Sequence, residues 1–201
     1  MLIYTLFDDP VYYFRIVVIL IISICLHELG HGIAAISQGD DTPIEKGHMT
    51  LNPVVHMGTH SIIFLVLVGI AWGAMPVNPN RFKNPQWSNI LVSAAGPLTN
   101  FFLGIFAISL VRLSSATFLG NFVSQEFLYY VAYLNFALGM FNLLPIPPLD
   151  GFHVASELYP AMKSIARSQI GLALFMILFM SGAGSIFFQL SQLLTEFLIF
   201  L

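Results

Sequence analysis

The chain has 201 residues, of which 57% are hydrophobic and 8% charged, with a mean hydropathy of +0.84 and a formal net charge of −3. Globular chains carry roughly 45–50% apolar and about 25% charged residues, so seven Lys+Arg and ten Asp+Glu are too few to coat a water-soluble globule. These figures exclude a soluble enzyme, a disordered chain and, with no basic cluster, a nucleic-acid binder; they place the chain in a lipid bilayer.

The first apolar stretch runs from Val11 to about Ile36 and holds no charge between Ile16 and Gly39 except Glu28. As a helix it would reach roughly 39 Å, enough to cross a membrane. Asp8 and Asp9 stand where a signal peptide would carry basic residues, and no small-x-small site ends the run, so this helix is expected to stay uncleaved. Cys25 lies inside it and, as the one cysteine, cannot form an intramolecular disulfide. From Ser37 to His60 the chain turns polar, with Gly39, Pro43, Gly47, Pro53 and Gly58, which reads as an irregular or hairpin-like connector. Ser61 to Met75 is apolar but short for a span, which suggests a re-entrant segment before Pro76 and Pro79.

Asn89 to Leu113 is the next span, with Ala94–Asn100 (AAGPLTN) offering small residues for close helix packing and Pro97 expected near the helix start. Phe127 to Leu144 follows and stops at Pro145, Pro147 and Pro148. Ile165 to Leu201, broken by Ser181–Ser185, reads as a helical hairpin. The fold class expected is an all-α polytopic membrane protein of about five to six transmembrane helices, with a re-entrant or hairpin-like connector after the first helix. Residues 1–201 form a single integral-membrane domain in this reading, with a core of about 15–160 and a C-terminal helical hairpin of about 165–201. If Ser61–Met75 dips in and returns, Lys46, Arg81, Lys83, Lys163 and Arg167 share one face, leaving Arg15 and Arg112 near the other. The positive-inside rule favours that arrangement, with the N-terminus outside.

A charge within an apolar span costs several kcal/mol and marks a functional candidate. Of the ten acids, Glu28 and Asp150 lie in apolar surroundings. Glu28 belongs to His27-Glu28-Leu29-Gly30-His31, the HExxH spacing. Four residues advance an α-helix by about 400°, so His27 and His31 lie about 40° apart on one face and can hold one metal ion. Glu28 flanks that face, where a base acting on metal-activated water belongs. Catalytic zinc takes three protein ligands and keeps one position open. Asp150 is the best candidate for the third, at the end of Asn142-Leu-Leu-Pro-Ile-Pro-Pro-Leu-Asp150-Gly151, although an Asp-Gly pair is equally at home in a solvated turn. His48, His56, His60 and His153 read as solvated or hydrogen-bonding side chains rather than ligands.

HELGHG at His27–Gly32, AAGPLTN at Ala94–Asn100 and NLLPIPPLDG at Asn142–Gly151, in this order, resemble the three signatures of the site-2 protease family of intramembrane zinc metalloproteases. TLNPVVH at Thr50–His56 and PVNPNRF at Pro76–Phe82 are similar to its compact subgroup, which lacks PDZ or CBS domains. The resemblance implies one Zn2+ per chain held by His27, His31 and Asp150, with Glu28 as the base. It further implies that Asn142 binds the scissile carbonyl or the developing oxyanion, where the residue alone would suggest an interhelical hydrogen bond. One departure is that Met57-Gly-Thr-His60 follows TLNPVVH in place of a pattern like IDPxGT.

The expected function is hydrolysis of peptide bonds within or near a transmembrane segment of a membrane-protein substrate. The resemblance implies a multi-pass location in a prokaryotic cell (inner) membrane, with the bilayer and the substrate helix as partners. A membrane zinc transporter or a metal-binding scaffold without protease activity is the alternative; against the first, HExxH plus one Asp leaves an open catalytic position and no string of further intramembrane ligands marks a path, and against the second stands Glu28, which metal binding alone does not need.

Overall fold

The computed structural model describes residues 2–116, 124–166, 169–182 and 184–201, and every regular element among them is helical. The α-helices in order are α1 (Leu2–Asp8), α2 (Pro10–Ser37), α3 (Thr42–Glu45), α4 (Pro53–Val68), α5 (Pro85–Ala116), α6 (Gln125–Asn142), α7 (Asp150–Leu158), α8 (Lys163–Ala166), α9 (Gln169–Met180) and α10 (Gly184–Phe200), with single 3-10 turns at Pro79–Arg81 and Pro160–Met162. Helix α2 starts where Asp9 accepts a hydrogen bond from the Tyr12 N–H at 2.9 Å and Pro10 takes a first-turn position whose N–H has no helical partner. It runs 28 residues and, with α5, is one of two described helices long and apolar enough to cross a membrane.

The core is a set of helix contacts around α2, α5 and α6. Ile16 and Ile19 of α2 meet Leu134 of α6, and Ile24 meets Met57 and Leu65 of α4. Ala107 and Ile108 of α5 pack with Ala132 and Phe136 of α6, and Leu194 and Leu198 of α10 lie against the same cluster. Helix α6 ends at Asn142, and the Pro145–Leu149 turn brings the start of α7 back to that end while α7 itself packs on α5. That turn is so close that a Cβ on Gly151 would lie 2.0 Å from the Leu143 carbonyl oxygen, so only glycine fits beside Asp150.

Three expectations need correcting. The polar connector is partly helical: α3 lies within it, and Asn52 caps α4 by accepting from the Val54 N–H at 3.0 Å. Glycine tempers that helix, since Gly58 breaks it with φ 68°. The apolar run Ser61–Met75 is not one segment, because α4 ends at Val68 and residues 70–78 continue as chain without regular secondary structure. This chain returns along α4, where the Trp72 N–H donates to Ser61 Oγ (2.8 Å) and the Ala74 N–H to the His56 carbonyl (2.9 Å). Thirdly, Pro97 lies well inside α5, which begins at Pro85, so it interrupts the helical ladder rather than opening the helix. In the C-terminal region two helices flank the Ser181–Gly182 turn, and α10 packs on α6 and α5.

Asp40 ties the return of this non-helical chain to the end of α2. It has no exposed surface and accepts from the Asn78 N–H at 2.6 Å, the Thr42 N–H at 3.0 Å and the Thr42 hydroxyl. Nearby, the Lys83 N–H donates to the Gln38 carbonyl and Lys83 Nζ to the Ser37 carbonyl. Burial acts to raise the Asp40 pKa, but these donors and the Arg81 charge outweigh it and hold the carboxyl below its ordinary value. Because folding lowers this pKa, the stabilisation is complete above the unfolded value of about 3.9 and is lost as the pH falls through the folded value. Asp40→Ala orphans the two N–H groups and is expected to cost about 1–3 kcal/mol, a fall in Tm of about 2–12 °C. Thermal unfolding in detergent at pH 7 checks this; the gap should narrow in acid below about pH 4, and an unchanged Tm at pH 7 contradicts it.

Candidate active site

The helical period carries out what the HExxH spacing requires. His27, Glu28 and His31 fall on the buried side of α2, with 7%, 6% and 8% of their surface exposed. His31 Nδ1 donates to the Val92 carbonyl of α5 at 2.7 Å. That carbonyl lies one residue before Ser93, whose own helical partner would be the N–H that Pro97 lacks. His27 Nδ1 donates to Asn100 Oδ1 at 2.6 Å. With both Nδ1 atoms bearing hydrogen, both Nε2 atoms carry a free lone pair, and they face one another 3.1 Å apart.

Asp150, first residue of α7, completes the cluster. Its Oδ2 is 3.1 Å from His27 Nε2 and its Oδ1 is 3.4 Å from His31 Nε2. Tetrahedral ligands at about 2.0–2.1 Å from zinc lie about 3.3 Å from one another, so these separations suit one ion held by two imidazoles and a carboxylate. A Cβ on Gly96 would lie 2.3 Å from His31 Nε2 and 2.5 Å from His27 Nε2. The absent side chain leaves both nitrogens accessible to an ion. Among the described residues this is the one group of three His, Cys, Asp or Glu donors that converges.

The cluster opens on a cavity of about 990 Å³. Glu28 and the non-helical chain line it, and Glu28 lies so close to Gly73 that a Cβ there would meet Glu28 Oε1 at 2.4 Å. Asn142 also lines it; its Nδ2 donates to the Leu138 carbonyl of its own helix at 3.1 Å, leaving the second amide hydrogen for the cavity. The remaining histidines stand outside the donor cluster. His48 Nδ1 donates to the Lys46 carbonyl, the buried His56 donates from Nε2 to the Thr50 carbonyl at 2.6 Å, and His60 and His153 are exposed. Cys25 is buried without reaching the cluster.

Sequence reasoning passed over Asn100, Gly96 and the Val92 carbonyl. The first two lie in AAGPLTN, singled out for its small residues but not for what its backbone and amide touch. The missing signal for Asn100 was a polar side chain with no charge inside an apolar span, a class that an inventory of charges does not cover.

The sequence pattern of Peptidase family M50 matches residues 15–125 and 117–181. YwhC of Bacillus subtilis, provisionally named a zinc metalloprotease, is 36% identical over 179 residues, covering 85% of this chain and 82% of that protein. Zinc metalloprotease MJ0392 of Methanocaldococcus jannaschii is 30% identical over 182 residues, 87% of this chain and 45% of that protein. Rip2 of Mycobacterium tuberculosis, also provisionally named a zinc metalloprotease, is 28% identical over 80% of this chain and 64% of its own length. No solved structure matches. A pattern match over most of the chain, together with a relative of this identity and coverage, shows that the chain belongs to Peptidase family M50, the site-2 protease family of intramembrane zinc metalloproteases.

Proposed function

We propose that this chain hydrolyses a peptide bond in or beside a membrane-spanning segment of its substrate, using zinc held by His27 Nε2, His31 Nε2 and Asp150. The observation that carries the reading is the convergence of those three donors, with both Nε2 lone pairs free, over the space left by Gly96. Zinc supplies a Lewis acid there and brings the pKa of water toward about 7. Glu28 takes the proton from the attacking water and returns it to the leaving amine. The free Asn142 amide hydrogen donates to the oxygen on which negative charge develops.

An α-helical substrate has its carbonyls engaged, so it must unwind to react. The non-helical chain 70–78 offers an unwound segment a backbone to pair with beside Glu28. Transport is not favoured, since a transit path needs successive ligand sets and the described residues hold one.

We further read the chain as one multi-pass domain in a prokaryotic cell membrane, with α4 and chain 70–78 entering and leaving on the same side. Support comes from charge placement. Lys46 and Arg81, with Arg81 paired to Glu45, lie with Lys83 at the Ser37 end of α2. Lys163 joins them by pairing with Glu157, which also binds Asn89 near the start of α5. Arg15 pairs with Glu126 at the opposite end of α2. Arg167, counted with the first set, lies outside the described residues. The positive-inside rule puts the Ser37 end in the cytoplasm.

Two measurements test these readings. Glu28→Gln should keep its zinc and lose proteolysis by about 10²-fold or more, whereas Gly96→Ala should lose the zinc itself because its methyl would press on both Nε2 atoms. Metal content and cleavage of a transmembrane substrate by both variants in proteoliposomes decide this; zinc-replete Gly96→Ala or active Glu28→Gln contradicts the mechanism. Single cysteines at the exposed positions Lys46 and Asn80 should label from the same side of intact membranes; labelling from opposite sides would mean that 53–78 crosses.

A further inference from the structure

A neutral imidazole can ligate zinc through Nε2 only if its hydrogen is on Nδ1. For His31 the Val92 carbonyl settles this, because a carbonyl only accepts. For His27 the partner is a carboxamide, whose oxygen and nitrogen ends have nearly the same shape. Turned the other way, Asn100 would present NH2 to the ring and drive the hydrogen onto Nε2, where it blocks the metal.

The choice is made farther from the site. Asn100 Nδ2 donates to Asn135 Oδ1 at 2.9 Å, and Asn135 Nδ2 donates both to the Val131 carbonyl and to Ser23 Oγ, each at 2.9 Å. The Val131 carbonyl requires the NH2 of Asn135 on its side, so Oδ1 faces Asn100. The NH2 of Asn100 must then face Asn135, its Oδ1 faces His27, and the ring hydrogen sits on Nδ1. Asn100 and Asn135 have no exposed surface and Ser23 only 2%, so water does not offer either amide an alternative partner. A flipped row would set Asn135 Oδ1 against the Val131 carbonyl, two acceptors facing each other away from solvent.

We propose that Asn135, two hydrogen bonds from His27, is a positioning residue that sets the His27 tautomer through Asn100 and so presents Nε2 to zinc. The inference rests on the ligand assignment above. It concerns hydrogen-bond polarity, and it predicts a coupling that a residue merely filling space would lack.

Zinc affinity is measured by competition with a fluorescent chelator on the full-length protein in detergent, with cooperative thermal unfolding as the check on folding. Asn135→Leu, similar in volume, should weaken zinc binding about 10–100-fold. In an Asn100→Asp background, where the carboxylate accepts from His27 Nδ1 in either orientation, the same change should bring no loss. Asn135→Asp, protonated in this apolar setting, still donates to Val131 and accepts from Asn100, so it should bind within about threefold of the wild type. Equal zinc affinity in the wild type and Asn135→Leu overturns the inference, as does a loss that persists undiminished beside Asn100→Asp. If Asn135→Leu does not fold, Asn135→Asp decides: a loss beyond about tenfold contradicts the proposed polarity. A wild type that binds no zinc overturns the ligand assignment and this inference with it, whereas zinc bound equally well by wild type and Asn135→Leu overturns this inference alone.

Discussion

A polar side chain that hydrocarbon cannot solvate must find its partners within the protein, and in this chain that requirement ties four helices together. The buried face of α2 presents Ser23, His27, Glu28 and His31. Asn100 and the Val92 carbonyl on α5, Asn135 on α6 and Asp150 on α7 meet it. Apolar contacts such as Ile19 with Leu134 or Ala107 with Phe136 hold the helices close but would tolerate a slip along their axes. The hydrogen bonds would not, because each lost partner leaves a buried donor or acceptor unpaired at about 1–3 kcal/mol. The polar row therefore sets the register in which the apolar faces close.

The same row prepares the chemistry. Two imidazoles have their hydrogens fixed on the far side from the metal position, a carboxylate is brought within 3.1 and 3.4 Å of them, and Gly96 leaves space between. Close packing elsewhere serves that geometry. Gly151 lets α7 start against the end of α6, which is what brings Asp150 to α2, and Asp40 holds the non-helical chain where Gly73 reaches Glu28. With the proposed ligands, zinc would need little rearrangement of the protein on binding, which is the condition for a site held within about half an ångström of its working geometry.

How much of this could be read from the sequence follows from where the partners lie. His27 and His31 are four residues apart on one helix, so the period alone predicts their shared face, and Glu28 stands out because charge is so scarce in an apolar run. Asp150 is 123 residues from His27 and was reached only through the cost of leaving it unpaired and through the resemblance. Asn100 and Asn135 gave no such warning. An uncharged amide in a helix is inexpensive enough to pass unnoticed, and its role depends on partners 73 and 35 residues away. The polar stretch before Ser61 reads as irregular because Gly58, Pro53 and Asn52 are turn residues; in the structure Asn52 and Pro53 cap and open a helix, which Gly58 interrupts before it resumes. Burial of Met57 and Leu65 against Ile24 of α2 outweighed local composition.

The central claim is that one zinc ion is held by two imidazole nitrogens and one carboxylate drawn from α2 and α7. X-ray absorption at the zinc edge on the purified full-length protein tests it directly. The account predicts two histidine nitrogens and oxygen ligands at about 2.0–2.2 Å with no sulfur, and loss of one imidazole from the spectrum in His31→Ala. A sulfur ligand, a third imidazole, or a coordination shell unchanged in His31→Ala would contradict it.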